Sequence, residues 1–449
     1  MYQSTRSKTE VTDKSAVLKG IAPDGGLFVN PEIPKADIEE ILKLDYAGMA
    51  GKIMKALLPS FTSAIDDGIA AYSKKFDSIE ITPVVSVEDN FVLELWHGPT
   101  CAFKDLALTV LPYLICEAKN DSGIDKNISI LTATSGDTGK AALEGFHDVD
   151  GTDITVFFPH GGVSDTQRLQ MVTQKGGNVR VCAVRGNFDD CQRGVKEAFA
   201  VKQDYKFLSS ANSINIGRLV PQVVYYFYAY KMAGHEGIDF IVPTGNFGDI
   251  LAGYIAKKMG LPIGKLVCAS NANNVLYDFL STGVYDRRRE FKKTASPSMD
   301  ILVSSNLERL LFYASEGDTA FVKKCMDALS SDGVYKVDEA IMDKIRGDFM
   351  ASWCDEELCK KTIGDVYKNT GYVMDTHTAV AYSASNDGSI VLSTASPFKF
   401  PAAVSEAIGK DLTETGLTMP EALKDLDKKE ILHKDVIDKD EIVRYSLCI

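Results

Sequence analysis

The residues that could do chemistry gather first in Trp96-His97-Gly98-Pro99-Thr100-Cys101-Ala102-Phe103-Lys104-Asp105. An apolar run at 91–95 reads as a buried strand before this stretch, and a dense apolar run at 106–115 reads as a helix after it. Gly98 and Pro99 mark the turn between them, so Lys104 falls where a loop becomes a helix. The positive end of the helix dipole and the apolar neighbours Phe103 and Leu106 both disfavour an ammonium there. A neutral, positioned lysine is what Schiff-base chemistry requires. The plainer reading is a solvated surface lysine, which is what most lysines are. Three small-residue turns argue against it: Ser135 to Gly139, Gly245 to Asp249 and Thr394 to Pro397 each follow an apolar run and open a helix. Free N–H groups and the helix dipole make such turns anion sites. Together with Lys104 they suggest a phosphorylated carbonyl cofactor and a substrate with its own anionic groups. A nucleotide P-loop at 134–141 is excluded, because Thr134 and Ala141 occupy the positions of its first glycine and its Mg²⁺-binding hydroxyl. No G-x-S-x-G nucleophile elbow occurs.

The elements that must position these turns alternate strand and helix from Phe91 onward, which predicts an α/β architecture with mostly parallel pairing. Four units are expected. Residues 1–88 form a separate N-terminal unit with helical patterns near 36–44, 46–58 and 65–72. Residues 89–207 form a smaller α/β lobe carrying Lys104 and the Ser135–Thr138 turn. Residues 208–410 form a larger lobe carrying the Gly245–Asp249 turn and a helical insertion, with little strand signal, at about 306–370. Residues 411–449 are a polar tail. Parallel sheets bind ligands at the carboxyl ends of their strands, so the turns should meet there.

The 449-residue chain is 45% hydrophobic and 25% charged, enough for a sizeable core. Its net charge of −13 argues against non-specific binding to nucleic acid or anionic membranes, so an anionic ligand must be held by local groups. No apolar run approaches the ~18 residues of a membrane span, and no signal pattern is evident; a cytoplasmic protein is expected. Nine scattered cysteines without a CxxC pair read as reduced thiols, and six scattered histidines without zinc spacing suggest no metal.

His97-Gly98-Pro99-Thr100 with Ala102-Phe103-Lys104-Asp105 resembles the cofactor-lysine segment of threonine synthases. Thr132 to Gly139, Ser210-Ala211-Asn212-Ser213-Ile214-Asn215, Gly245 to Asp249 and the opening Ala22-Pro23-Asp24-Gly25-Gly26-Leu27-Phe28 match as well. Asp137 points to the bacterial and fungal branch. The resemblance implies a pyridoxal 5'-phosphate (PLP) enzyme of fold type II, tryptophan synthase β-like, with two α/β lobes. Such a carbon–oxygen lyase converts O-phospho-L-homoserine and water into L-threonine and phosphate. It implies Lys104 as the Schiff-base lysine and base, Gly245, Asn246, Phe247, Gly248 and Asp249 as the cofactor-phosphate loop, and Thr394 facing the pyridine nitrogen. Ser135, Gly136, Asp137 and Thr138 would receive the substrate carboxylate; Asn212, Ser213 and Arg218 would hold the substrate phosphate. Asp137 replaces an Asn that in relatives bonds the cofactor's phenolic oxygen, an awkward place for a carboxylate unless one group is protonated or the two are apart. His97 could stack near the cofactor or simply order its turn; His377 could line the substrate mouth or be structural; Cys101 is expected to pack. The chain could be a monomer or a homodimer. A dehydratase would share Lys104 and the phosphate loop, and a binding protein that has lost synthesis is the other alternative.

Overall fold

The computed structural model describes residues 1–201 and 206–447. Its apolar runs become strands of two sheets. Ile128–Ala133, Thr152–Pro159 and Val179–Arg185 are β-rich and almost wholly buried. With Phe207–Ser210 and Asp435–Asp438 they form a five-stranded, wholly parallel sheet in the order 435–438, 179–185, 152–159, 128–133, 207–210. The second sheet has six strands, in the order Phe349–Trp353, Leu266–Ser270, Phe240–Pro243, Ile390–Ser393, Asn90–Glu94, Val84–Val87. It is parallel except for the hairpin of the last two. Such continuous apolar strands need cover on both faces, which the helices provide.

Several boundaries differ from those expected. Asn90–Glu94, assigned by sequence to the smaller lobe, pairs with Ile390–Ser393 in the six-stranded sheet, Phe91 opposite Ile390. Phe207–Ser210 crosses the expected 207/208 boundary and belongs to the five-stranded sheet. The polar tail contributes the edge strand Asp435–Asp438, whose short, largely exposed Asp-Val-Ile-Asp sequence hides its strand character. Within the expected helical insertion, Phe349–Trp353 is a strand at a sheet edge with only Phe349 buried, so its sequence lacks a buried-strand pattern. The N-terminal segment packs onto the rest of the chain. It has a three-stranded antiparallel sheet centred on Tyr2–Ser4, yet its residues share one apolar core with the rest of the chain. Its helix Ser63–Lys75 lies against Lys104–Ser122, where a Cβ on Gly68 would come within 2.9 Å of Val110, and Tyr72 donates to the Leu106 carbonyl at 2.6 Å. Residues 202–205 of the expected smaller lobe and 448–449 of the tail lie outside the described residues. No described helix is long and apolar enough to cross a membrane.

Candidate active site

Lys104 is the first residue of the helix Lys104–Ser122, and the loop before it is tightly pinned. The Asp105 carboxyl accepts from the Thr100 N–H at 2.8 Å and the Thr100 hydroxyl at 2.6 Å. Gly98 is required beside it, since a Cβ there would lie 2.5 Å from the Asp105 Cβ. Cys101 sits in the left-handed region at φ 61, a strained conformation for a side chain. The Ser396 N–H donates to the Cys101 carbonyl at 3.1 Å and the Phe103 N–H to the Thr394 carbonyl at 2.9 Å. The lysine loop is thereby stitched to the loop after Ile390–Ser393, which sets Thr394 beside Lys104.

Lys104, Asp137, Thr138, Ser213, Arg218, the whole 245–249 turn and Thr394 line one cavity. Three expected residues lie elsewhere. Ser135 lines a neighbouring outer pocket between the Pro159–Ser164 loop and Phe400. Gly136, at φ 136, packs on Gln167, whose side chain a Cβ would meet at 2.3 Å. Asn212 clips both ends of its amide to Ala133, Nδ2 donating to the carbonyl at 2.8 Å. The helix Gly248–Met259 opens behind Phe247, itself at φ 63, with no side chain capping it. Gly245 and Gly248 keep the turn open, since a Cβ on Gly245 would lie 3.2 Å from the Met299 Cα. The Asp249 carboxyl accepts from the Tyr225 and Tyr226 hydroxyls at 2.5 and 3.0 Å; burial raises it to about 6. Both tyrosine bonds go to Oδ1, and the buried Oδ2 has no partner.

The electrostatics centre on Lys104 and Arg218. Burial lowers the Lys104 amine, Asp137 opposes this, and Lys399 and Arg218 lower it further, as the sequence argument required. Burial would raise the Asp137 carboxyl, but Lys399 and Lys104 hold it well below the usual range. An ionised Asp137 is a poor receiver for a substrate carboxylate, contrary to the expectation for that position. Arg218 is 2% exposed, and burial lowers its guanidinium to about 10. It donates to the Ala211 carbonyl at 2.5 Å, while its Nε has no partner. Among the described residues no carboxylate pairs with it. His97 lies outside the cavity: its ring bonds Asp77 at 2.7 Å and Glu94 at 2.9 Å and stacks on Trp96, so it orders the turn. His377 both lines the cavity and is held structurally, with Nδ1 against Asp375 at 2.9 Å and Nε2 accepting from the Ser298 N–H at 3.2 Å. Cys101 is buried, and burial lifts its thiol to about 12.

Sequence reasoning missed Lys399, Gln222 and Ser298. Lys399 Nζ lies 2.7 Å from Asp137 Oδ1, and Ser298 Oγ donates to Asp137 Oδ2 at 2.8 Å. A lone lysine between Phe398 and Phe400 was a signal for the first; nothing local marks the others. Among the described residues no cluster of three or more His, Cys, Asp or Glu could hold a metal ion. The unpartnered Arg218 Nε and the uncapped glycine-bearing turn fit a phosphorylated ligand beside a lysine.

The family described as "Pyridoxal-phosphate dependent enzyme" matches residues 77–391. The chain is thus a PLP-dependent enzyme, and its two parallel sheets are those of fold type II. "Threonine synthase N terminus" matches residues 1–67 and "Threonine synthase, C-terminal" residues 376–444. The threonine synthase of Pseudomonas aeruginosa is 38% identical over 96% of this chain and 94% of its own. The PLP-bound threonine synthase structure from Brucella melitensis superposes with a TM-score of 0.87 at 37% identity, covering 99% of this chain and 98% of that one. The human "Threonine synthase-like 1" is 38% identical over 96% of this chain, which spans only 63% of that protein. The chain belongs to the threonine synthase family.

Proposed function

We propose that the Lys104 cavity converts O-phospho-L-homoserine and water into L-threonine and phosphate, with pyridoxal 5'-phosphate bound through Lys104. Arg218 carries this reading: a buried cation without a carboxylate partner, in the same cavity as Lys104 and the 245–249 turn, calls for a second anion beside the cofactor's own. The backbone of 245–249 would hold the cofactor phosphate and Thr394 its ring nitrogen. Arg218 and Ser213 then remain for the substrate phosphate, and the Thr138 hydroxyl with the backbone of Asp137 and Thr138, the part of the 135–138 turn that lines this cavity, for its carboxylate. Asn212 supports this loop through Ala133. When bound, the cofactor supplies the electron sink for removal of the Cα proton. Lys104, held toward its neutral form by burial, is the group able to take that proton and return it. Arg218, at about 10, stays charged near neutrality and offers the leaving phosphate bidentate donors. The Ser298–Asp137 hydrogen bond ties the 297–299 turn to the 135–139 turn at the cavity wall.

The same reading makes this a cytoplasmic enzyme acting on a small molecule, as a monomer or homodimer and without nucleic-acid partners. The net charge of −13 and the eight described cysteines, all free, support it. The test is purified protein given O-phospho-L-homoserine, L-serine or L-threonine. Equal release of threonine and phosphate from the first is expected, abolished by Lys104→Ala. Oxo-acid formation from serine or threonine, with no threonine made from phosphohomoserine, would assign the cavity to a dehydratase.

A further inference from the structure

Lys399 has no place in the scheme above, yet it is fully buried at the meeting point of three loops. Its Nζ donates to the Thr100 carbonyl at 3.0 Å, in the lysine loop, and lies 2.7 Å from Asp137 Oδ1, in the loop of the five-stranded sheet. Its own segment, Pro397–Lys399, follows the strand Ile390–Ser393 of the other sheet. Asp137 accepts two further hydrogen bonds, from Gln167 Nε2 at 2.9 Å and from Ser298 Oγ at 2.8 Å. Lys104 Nζ stands 3.6 Å from Asp137 Oδ2, an ionic contact beyond ordinary hydrogen-bond length. The carboxylate is therefore satisfied by three donors before Lys104 is counted.

We infer that Lys399 is a positioning residue that acts through Asp137: it is the carboxylate's fixed counter-ion, so that Asp137 orients the Lys104 amine without becoming its full ion-pair partner. This rests on the reading of Lys104 as the cofactor lysine. A carboxylate alone beside Lys104 would favour the ammonium, which cannot bond covalently to a carbonyl cofactor. A neutral Lys399–Asp137 pair keeps the acceptor in place and cancels most of its field. The other groups facing this set do not substitute for Lys399. Arg218 and Asp249 line the same cavity and act on Lys104 itself, and His377 acts on Asp137 while bonded to Asp375 and Ser298. Asp105 and Cys101 face Lys399, and both are already raised by burial, so its removal creates no new anion beside Lys104.

The experiment follows uptake of pyridoxal 5'-phosphate by cofactor-stripped full-length protein, by absorbance, as a function of pH. Uptake tracks the fraction of Lys104 that is neutral. In Lys399→Met the midpoint should move up by about 1–3 pH units, slowing uptake near neutrality roughly tenfold or more. In Asp137→Asn it should move down. In the double variant Lys399→Met/Asp137→Asn it should fall back to the wild-type midpoint or below, which a merely structural role for Lys399 would not produce. An unmoved midpoint in Lys399→Met, or a double variant that stays as high as Lys399→Met, overturns the inference. If Lys399→Met does not fold, Asp137→Asn decides alone: a midpoint that does not fall overturns it. Wild-type protein that takes up no cofactor, or Lys104→Ala that takes it up at the wild-type rate, instead removes the reading on which the inference rests.

Discussion

Replacing Arg218 by methionine should separate stability from function in opposite directions. Methionine keeps the apolar stem of the side chain and removes the guanidinium. In the protein without substrate that guanidinium sits at about 10 rather than 12.5, which corresponds to roughly 3 kcal/mol of uncompensated desolvation. Against this stands the loss of its bond to the Ala211 carbonyl, a charged hydrogen bond of about 1.5–3 kcal/mol. Arg218→Met should therefore leave the free protein between unchanged and about 1.5 kcal/mol more stable in urea unfolding. With substrate the sign reverses. A phosphate entering the cavity without its cation loses about 2–4 kcal/mol, so kcat/KM for O-phospho-L-homoserine should fall roughly 30- to 1000-fold. The cofactor should still be taken up, because Lys104 and the 245–249 turn are intact, with the pH midpoint of uptake moved up since Arg218 no longer helps to lower the Lys104 amine. A variant that is clearly destabilised while kcat/KM stays within about twofold of wild type would refute the reasoning, since Arg218 would then be a structural cation.

Three further outcomes are expected. Bonds to Glu94 and Asp77 outweigh burial and raise His97 above its usual value, so its contribution to stability is fully present below about pH 6.5 and is lost as pH rises through the folded value. The stability difference between wild type and His97→Gln, measured by urea unfolding, should thus be larger at pH 6 than at pH 9; an increase with pH would contradict this. Gly98→Ala should break the Asp105–Thr100 bonds and lower stability by about 1–3 kcal/mol, with a matching fall in Tm and impaired cofactor loading; unchanged values would show that the loop tolerates a Cβ. Cys101, its thiol lifted to about 12 by burial, should resist alkylation at pH 8 in the folded protein and react in urea, as read by peptide mapping.

What the sequence displays locally, the structure contains locally. Lys104 at a helix start, the open turns at 135–139 and 245–249 and Arg218 at the head of the buried helix Ile216–Ala233 were all visible as residue types beside apolar runs. What it hides depends on pairing across hundreds of residues. Nothing within 90–94 says that its neighbour is 390–393 rather than 128–133, because both read as buried parallel strands. The edge strands at 349–353 and 435–438 lack the buried-strand pattern because each is largely exposed. Asp137 looked like one more anion-loop residue; only the arrival of Lys399, 262 positions later, shows why it is ionised and turned from that task.

The late strands also set the timing of the molecule's synthesis. Asn90–Glu94 waits for Ile390–Ser393, and Val179–Arg185 for Asp435–Asp438. At about 5–20 residues per second, some 300 residues of translation hold the first edge open for roughly 15–60 s. Throughout that interval a growing chain presents unpaired parallel edges and a lysine loop without its Thr394 clamp. Chaperone engagement should therefore persist until the carboxyl terminus leaves the ribosome. A premature stop before Ile390 produces not a smaller enzyme but two unfinished sheets, and one between 394 and 434 still leaves the five-stranded sheet without its edge strand.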